Sequence, residues 1–268
     1  MFYGAMEGSV DIGDADMDYV AFGKGQKPLI LIPGLGDGLK TVKGTRLFLA
    51  RAYKLFAEEF SVYVFSRKNY IEEGYSTKDM ARDQAIAMDK LGIESAHIMG
   101  VSQGGMIAQY IAIDHPELVD RLILGVSVSR QNDTMQKVIR NWIVLAEDGD
   151  YKGLIIDTME KTFTEDKLRR YRKMYPAITR IGKPKDFNRF IIQAHSCLNH
   201  NAYEELDRII CPTLIIGGDA DKVVGEGASE EMAERIYKSK LILYEGLGHG
   251  AYEEAEDFNE RVLEFCLS

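Results

Sequence analysis

The sequence predicts an α/β fold: a mostly parallel, doubly wound sheet of about eight strands, with a helical segment inserted after the sixth. Three observations predict it. Short, nearly continuous apolar runs recur along the chain, as a strand buried on both faces requires. Stretches of helical spacing separate them, and a βαβα alternation implies a parallel sheet covered on both sides. The alternation stops once, between about Gln131 and Leu206, where only helical pattern is found.

Taken in order, "GSVDIGD" and "MDYVAFG" in the first twenty or so residues read as an antiparallel hairpin ahead of the parallel run. Six strands follow: "LILIP" (29–33), "VYVFS" (62–66), "AHIMG" (96–100), "RLILGV" (121–126), "TLIIGG" (213–218) and "KLILY" (240–244). Helical spacing covers 45–59, 78–91, 103–114, 227–237 and 253–266. Ser76 or Thr77 is placed to cap the second of these, with Asp79 near the helix start. The interval 131–205 carries "DTMQKVIRNWIVLAEDG", "YKGLIIDTMEKTF", "TEDKLRRYRKMY" and "PKDFNRFIIQAHSCL". It is too long for a loop in a compact domain, so it is expected to be a helical insertion lying over the sheet like a lid. Residues 1–130 and 206–268 then form the core domain. Asp148 and Asp150 in "EDGDYKG" fail the spacing of a calcium loop and mark a turn between helices.

The chain has 268 residues, 46% of them apolar, which is enough for one substantial core. No apolar run approaches the roughly 20 residues that span a bilayer, and the first residues lack the basic and apolar regions of an export signal. A formal net charge of −9 without a basic stripe argues against nucleic acid and anionic membrane surfaces as partners. Three widely separated cysteines, Cys197, Cys211 and Cys266, suit neither a disulfide framework nor a zinc site. A reducing, cytoplasmic setting is expected.

The chemistry begins at "GVSQG" (100–104), where a serine sits between a strand and a helix, the context of a nucleophile elbow. The strained turn throws the Ser102 hydroxyl clear of the sheet. Side chains two residues before and after it would collide, which accounts for Gly100 and Gly104, and Gly105 lets the helix lie close to the sheet. The helix start offers the Gln103 N–H to an oxyanion. A serine nucleophile needs a base and a carboxylate that orients it. His249, in the glycine-rich loop "GLGHGAYEE" before the last helix, is the favoured base; His97, His115, His195 and His200 each have a structural explanation, within a strand, at a helix end or in the insertion. For the acid, Asp219 and Asp221 follow the strand at 213–218, and Asp133 follows the strand at 121–126. In "LILIPGLGDG" a flexible turn after the first parallel strand can aim the Leu35 N–H at the same oxyanion.

These residues resemble the α/β-hydrolase superfamily, in its capped serine hydrolase branch. The likeness extends over most of residues 28–130 and 206–268, through "LIPGLGDG", "HIMGVSQGG", "CPTLIIGGDADKVV" and "GLGHGAYEE". It implies Ser102, Asp221 and His249 as nucleophile, acid and base in the order that family requires, choosing Asp221 because the family's acid comes three residues after the glycine matched by Gly218. It also implies an oxyanion pair of Leu35 and Gln103, a helical cap over 131–205, and no cofactor or metal. The implied substrate is a small ester, lactone or thioester that is partly apolar, turned over through an acyl-enzyme by a monomer or homodimer. Among the cap residues Trp142, Tyr151, Met159, Phe163, Tyr171, Met174 and Phe187, some are expected to line the pocket. There are departures: Pro33 stands where many relatives have histidine, and Gly225 where a proline is common. Ser102 disfavours halide displacement, which uses an aspartate nucleophile, and "GVSQG" is unlike the elbow of peptide-specific relatives. A carbon–carbon bond hydrolase with the same triad, and a ligand-sensing protein of the same fold, remain as alternatives.

Overall fold

The computed structural model describes residues 3–268. Eight strands form one sheet: β1 (Met6–Asp11), β2 (Asp16–Gly23), β3 (Pro28–Ile32), β4 (Ser61–Lys68), β5 (Ala96–Val101), β6 (Val119–Gly125), β7 (Thr213–Gly218) and β8 (Ser239–Tyr244). Their order is β1-β2-β4-β3-β5-β6-β7-β8. The first hairpin is antiparallel, β2 runs antiparallel to β4, and every later pairing is parallel. Residues 29–32, 96–100 and all of β7 are buried along their whole length, which is why those runs are unbroken apolar sequence.

The chain leaves β3 toward β4 on one side, and later returns to place β5 on the other. The loops after β3 and β5 therefore part in opposite directions and open a crevice at the strands' carboxyl ends, where doubly wound sheets bind ligands. Helices α1 (Arg46–Ala52), α2 (Lys54–Glu59), α3 (Thr77–Lys90), α4 (Gln103–Asp114), α5 (Asp133–Glu147), α6 (Tyr151–Thr162), α7 (Glu165–Ile178), α8 (Asn188–Leu198), α9 (Ala228–Arg235), α10 (Ala251–Glu254) and α11 (Phe258–Leu267) complete the fold. Ser76 caps α3 in a reciprocal box with Asp79, each satisfying an otherwise orphaned N–H.

Two expected helices are each split. The stretch 45–59 breaks at Tyr53, whose φ of −105° and ψ of 27° leave the helical range, although Ala50 of α1 and Phe56 and Ala57 of α2 pack into the same apolar cluster. The last stretch becomes α10 and α11, with Phe258 at the start of α11 buried against the sheet.

Helices α5 to α8 lie between β6 and β7. The chain departs at Arg130 and returns at Asn201, and those two residues close the neck in an isolated antiparallel bridge. Val138, Trp142, Phe190 and Ala194 of α5 and α8 share an apolar cluster with Leu35 and Met106 of the core. By contrast α7 buries only Leu168. Helix α6 adds Tyr151 and Leu154 to that cluster, and the α6–α7 corner also meets α10: Gly250 N–H donates to the Thr162 carbonyl at 2.7 Å, and the Thr164 hydroxyl to Glu254 at 2.6 Å. No helix among the described residues is long and apolar enough to cross a membrane.

Candidate active site

Ser102 is the pivot between β5 and α4, with φ 56° and ψ −121°, a conformation that costs an L-residue energy and persists only when its surroundings enforce it. They do. The Ser102 N–H donates to the Gly125 carbonyl at 2.9 Å, and its carbonyl accepts from Gly105 N–H at 2.9 Å and from the Ser127 hydroxyl at 2.8 Å. The neighbouring glycines are there for space: a Cβ on Gly100 would lie 2.2 Å from the Gly104 carbonyl oxygen, and one on Gly104 would lie 2.0 Å from that of Ile32. A Cβ on Gly105 would meet Ser127 at 2.5 Å.

His249 Nε2 lies 3.0 Å from Ser102 Oγ, and its Nδ1 lies 2.8 Å from Asp221 Oδ2. The other carboxylate oxygen of Asp221 accepts from the Val223 and Val224 N–H groups at 2.7 and 2.9 Å. The acid is thereby locked and turned toward the imidazole. Asp219 points elsewhere and accepts from Gly246 N–H at 2.8 Å, while Asp133 begins α5. Gly225 has φ +88°, which a proline ring fixed near −65° cannot adopt; the departure at this position follows from the backbone.

The remaining histidines are placed structurally. Buried His97 packs edge-on against Phe60, and burial pulls its pKa down to about 4. Buried His200 meets the Thr77 hydroxyl at 3.0 Å, and burial lowers it to about 3. His115 closes α4, and His195 lies on α8.

Leu35 opens a 3-10 turn (Leu35–Gly38) and Gln103 opens α4; first-turn N–H groups have no partner within their own helix. Both stand beside Ser102, since a Cβ on Gly34 would lie 3.2 Å from the serine Cβ. The structure thus brings all five sequence-predicted residues to one place.

Sequence reasoning missed a buried polar network behind the Leu35–Gly38 turn. Asp37 Oδ2 accepts from Arg189 at 2.7 Å, from the Gln193 amide at 3.3 Å and from Arg67 N–H at 3.2 Å. The Gln103 amide nitrogen donates to the Gln193 carbonyl at 2.8 Å and to the Ser196 hydroxyl at 3.1 Å. Helix α8 is therefore bolted to the elbow and to the Leu35–Gly38 turn. Nothing in "VFSRKN" distinguishes a charge destined for burial from an ordinary charge at a strand end.

Ser102 and His249 open onto a cavity of about 470 Å³. The sheet and α1 contribute Leu31, Val64, Met99 and Leu49, and the inserted helices contribute Trp142, Ile155, Thr158, Thr162 and Phe190. Of the aromatic and methionine residues singled out in the insertion, Trp142 lines this cavity; its indole N–H donates to Asp157 at 2.7 Å. Tyr151 and Phe187 pack in the apolar cluster that the insertion shares with the core, Phe163 pairs edge-on with Tyr171, and Met174 is exposed. Tyr53 and Tyr252 also line the cavity, and burial pushes the Tyr53 phenol up to about 12. No cluster of three or more potential metal ligands occurs among the described residues.

Compared with known proteins, residues 27–256 match the model of the alpha/beta hydrolase fold family. A curated relative, the 2-hydroxy-6-oxononadienedioate/2-hydroxy-6-oxononatrienedioate hydrolase of a Pseudomonas species, is 25% identical over 98% of this chain and 93% of its own length. Among solved structures, MGS-M2, an alpha/beta hydrolase enzyme from a Medee basin deep-sea metagenome library, superposes with a TM-score of 0.85 at 18% identity over 97% of this chain and 98% of the other. The enol-lactonase of Burkholderia xenovorans LB400 gives 0.82 at 20% identity over 97% and 100%.

Proposed function

The chain belongs to the alpha/beta hydrolase fold family, and from that premise we propose that it is a serine hydrolase cleaving a small, partly apolar ester or lactone through an acyl-enzyme. The observation that carries this is the continuous relay from Asp221 through His249 to Ser102, with the two hydrogen bonds at 2.8 and 3.0 Å, at the base of an apolar cavity. His249 takes the Ser102 proton as Oγ attacks the carbonyl, and Asp221 holds the imidazole tautomer and stabilises the imidazolium. The N–H groups of Leu35 and Gln103 receive the developing oxyanion, each worth about 3 kcal/mol by the usual cost of losing such a donor. The proton on His249 then passes to the leaving oxygen, and water, deprotonated by the same histidine, releases the acyl group.

The cavity wall is mostly apolar, which favours a substrate with an apolar part. Its charged lining groups are Lys40 and Asp37, besides the histidine, and the Asp37 carboxylate is already committed to Arg189. The Pseudomonas relative is named for a dicarboxylate, and this wall offers one cation, Lys40, for its two charges. Esters and lactones therefore rank ahead of carbon–carbon cleavage of an anionic dienoate. The helices from α5 to α8 act in this proposal as the cap that roofs the pocket, and Trp142 and Phe190 set its ceiling.

Treating the wild type with a fluorophosphonate and locating the adduct by mass tests the nucleophile. Short p-nitrophenyl esters, assayed on wild type and Ser102→Ala, test the reaction. Labelling at Ser102 together with Ser102-dependent turnover supports the proposal. An adduct elsewhere refutes it, and trace turnover with ligand-induced thermal stabilisation would favour a sensor instead.

A further inference from the structure

We propose that Arg67, at the end of β4, is a positioning residue for the oxyanion hole: its guanidinium holds both donor residues in register and sets a buried positive charge behind them. The inference rests on the serine-hydrolase reading above.

A single nitrogen of Arg67, Nη2, donates to the Pro33 carbonyl at 2.6 Å and to the Gln103 side-chain oxygen at 2.7 Å, and it lies 3.5 Å from the Gly34 carbonyl oxygen. The Gly34 carbonyl and the Leu35 N–H belong to one peptide unit. In a trans peptide these two groups point in opposite directions, so a carbonyl held toward Arg67, and toward Asp37 N–H at 3.2 Å, turns the Leu35 N–H away from them. The other donor is fixed by the same guanidinium. The Gln103 amide nitrogen is occupied by the Gln193 carbonyl and Ser196, so its oxygen is presented to Arg67 in a set orientation.

Charge gives the second half of the inference. Arg67 is fully buried, and no carboxylate among the described residues lies within ion-pair distance of it. The nearest acid in the network, Asp37, is paired with Arg189. Arg67, Arg189 and Asp37 therefore sum to one positive charge. Burial presses the Arg67 pKa downward and Asp37 opposes this, yet an arginine keeps its proton. Its Nε and Nη1 have no protein partner. An incompletely paired buried charge is a poor device for stability. It is a good one for stabilising an anion that exists only in the transition state, where a fixed charge in a low-dielectric site needs no reorganisation.

The test compares wild type, Arg67→Met and Arg67→Lys for kcat and KM on p-nitrophenyl acetate and for the rate of fluorophosphonate labelling, with circular dichroism and Tm to establish the folded fraction. A positioning role predicts that kcat of folded Arg67→Met falls about 10- to 100-fold, a fraction of the usual loss on deleting a donor outright. KM should stay within about twofold, because the interaction strengthens only in the transition state. Labelling should slow in parallel with kcat. Arg67→Lys, which restores the charge without the fork, should lie between the two. Wild-type kcat in either folded variant overturns the inference, as does a loss confined to KM. If Arg67→Met does not fold, Arg67→Lys decides alone. Absence of labelling at Ser102 in the wild type overturns the serine-hydrolase reading itself, and the inference with it.

Discussion

Asp221→Asn is the sharpest test of the relay, because the structure dictates how the new side chain must sit. One carboxylate oxygen of Asp221 receives the Val223 and Val224 N–H groups at 2.7 and 2.9 Å, and the other faces His249 Nδ1 at 2.8 Å. In the amide, only the carbonyl oxygen can accept those two backbone donors, so the NH₂ is forced toward Nδ1. Nδ1 must then accept, the ring proton moves to Nε2, and Nε2 can no longer take the Ser102 proton. In serine proteases with this arrangement the same change lowers kcat about 10⁴-fold, which is about 5.5 kcal/mol of barrier. The hydrogen-bond count is preserved, so the folded state should survive with Tm nearly unchanged. The assay is initial-rate kinetics on p-nitrophenyl acetate beside a thermal melt. If the variant keeps kcat within about tenfold of wild type, the tautomer is not set by Asp221 and the relay is wrong.

Other consequences can be checked with equally direct measurements. Ser102→Gly removes the side chain that makes φ 56° costly, so the inactive variant should gain about 1 kcal/mol of stability and melt about 2–4 °C higher than Ser102→Ala. His97 and His200 have folded pKa values lowered to about 4 and about 3. Above pH ~6.5 both states hold neutral rings and nothing is gained or lost. As pH falls below that, the unfolded chain binds protons that the folded one refuses, so stability should drop by up to about 1.4 kcal/mol per pH unit for each histidine. Chemical denaturation between pH 7 and 4.5 measures it, and His97→Leu should flatten the profile. Leu49→Trp, on the core wall of the cavity, should reduce kcat/KM for an octanoyl ester relative to an acetyl ester by about tenfold or more; equal losses on both would show that the chain does not run along that wall.

Much of the architecture was visible in the sequence because β3, β5 and β7 are buried on both faces, and continuous burial leaves a continuous apolar signature. Ser102 was legible because an elbow that needs glycine at 100 and 104 writes its steric demand into the chain, and His249 because it stands in a glycine-rich loop before the last helix. The choice between Asp219 and Asp221 was not legible from position alone, since both follow β7 at once. It depends on which one the Val223 and Val224 amides turn inward. The break at Tyr53 was hidden too, as neither proline nor glycine marks it. Least visible was the network of Asp37, Arg67, Gln103 and Arg189. Its partners lie up to 152 residues apart, and a buried charge is written with the same letter as an exposed one.

The unequal attachment of the inserted helices bears on how molecules get in and out. One flank is riveted by Arg189 and Gln103 to the oxyanion turn and elbow, while the other rests on the Thr162–Gly250 and Thr164–Glu254 contacts. Gly250 immediately follows the histidine at the heart of the relay. Any doorway made by swinging the looser flank outward must therefore release a bond one residue from the proposed proton carrier. On the proposed function, admission and readiness to react would share one latch.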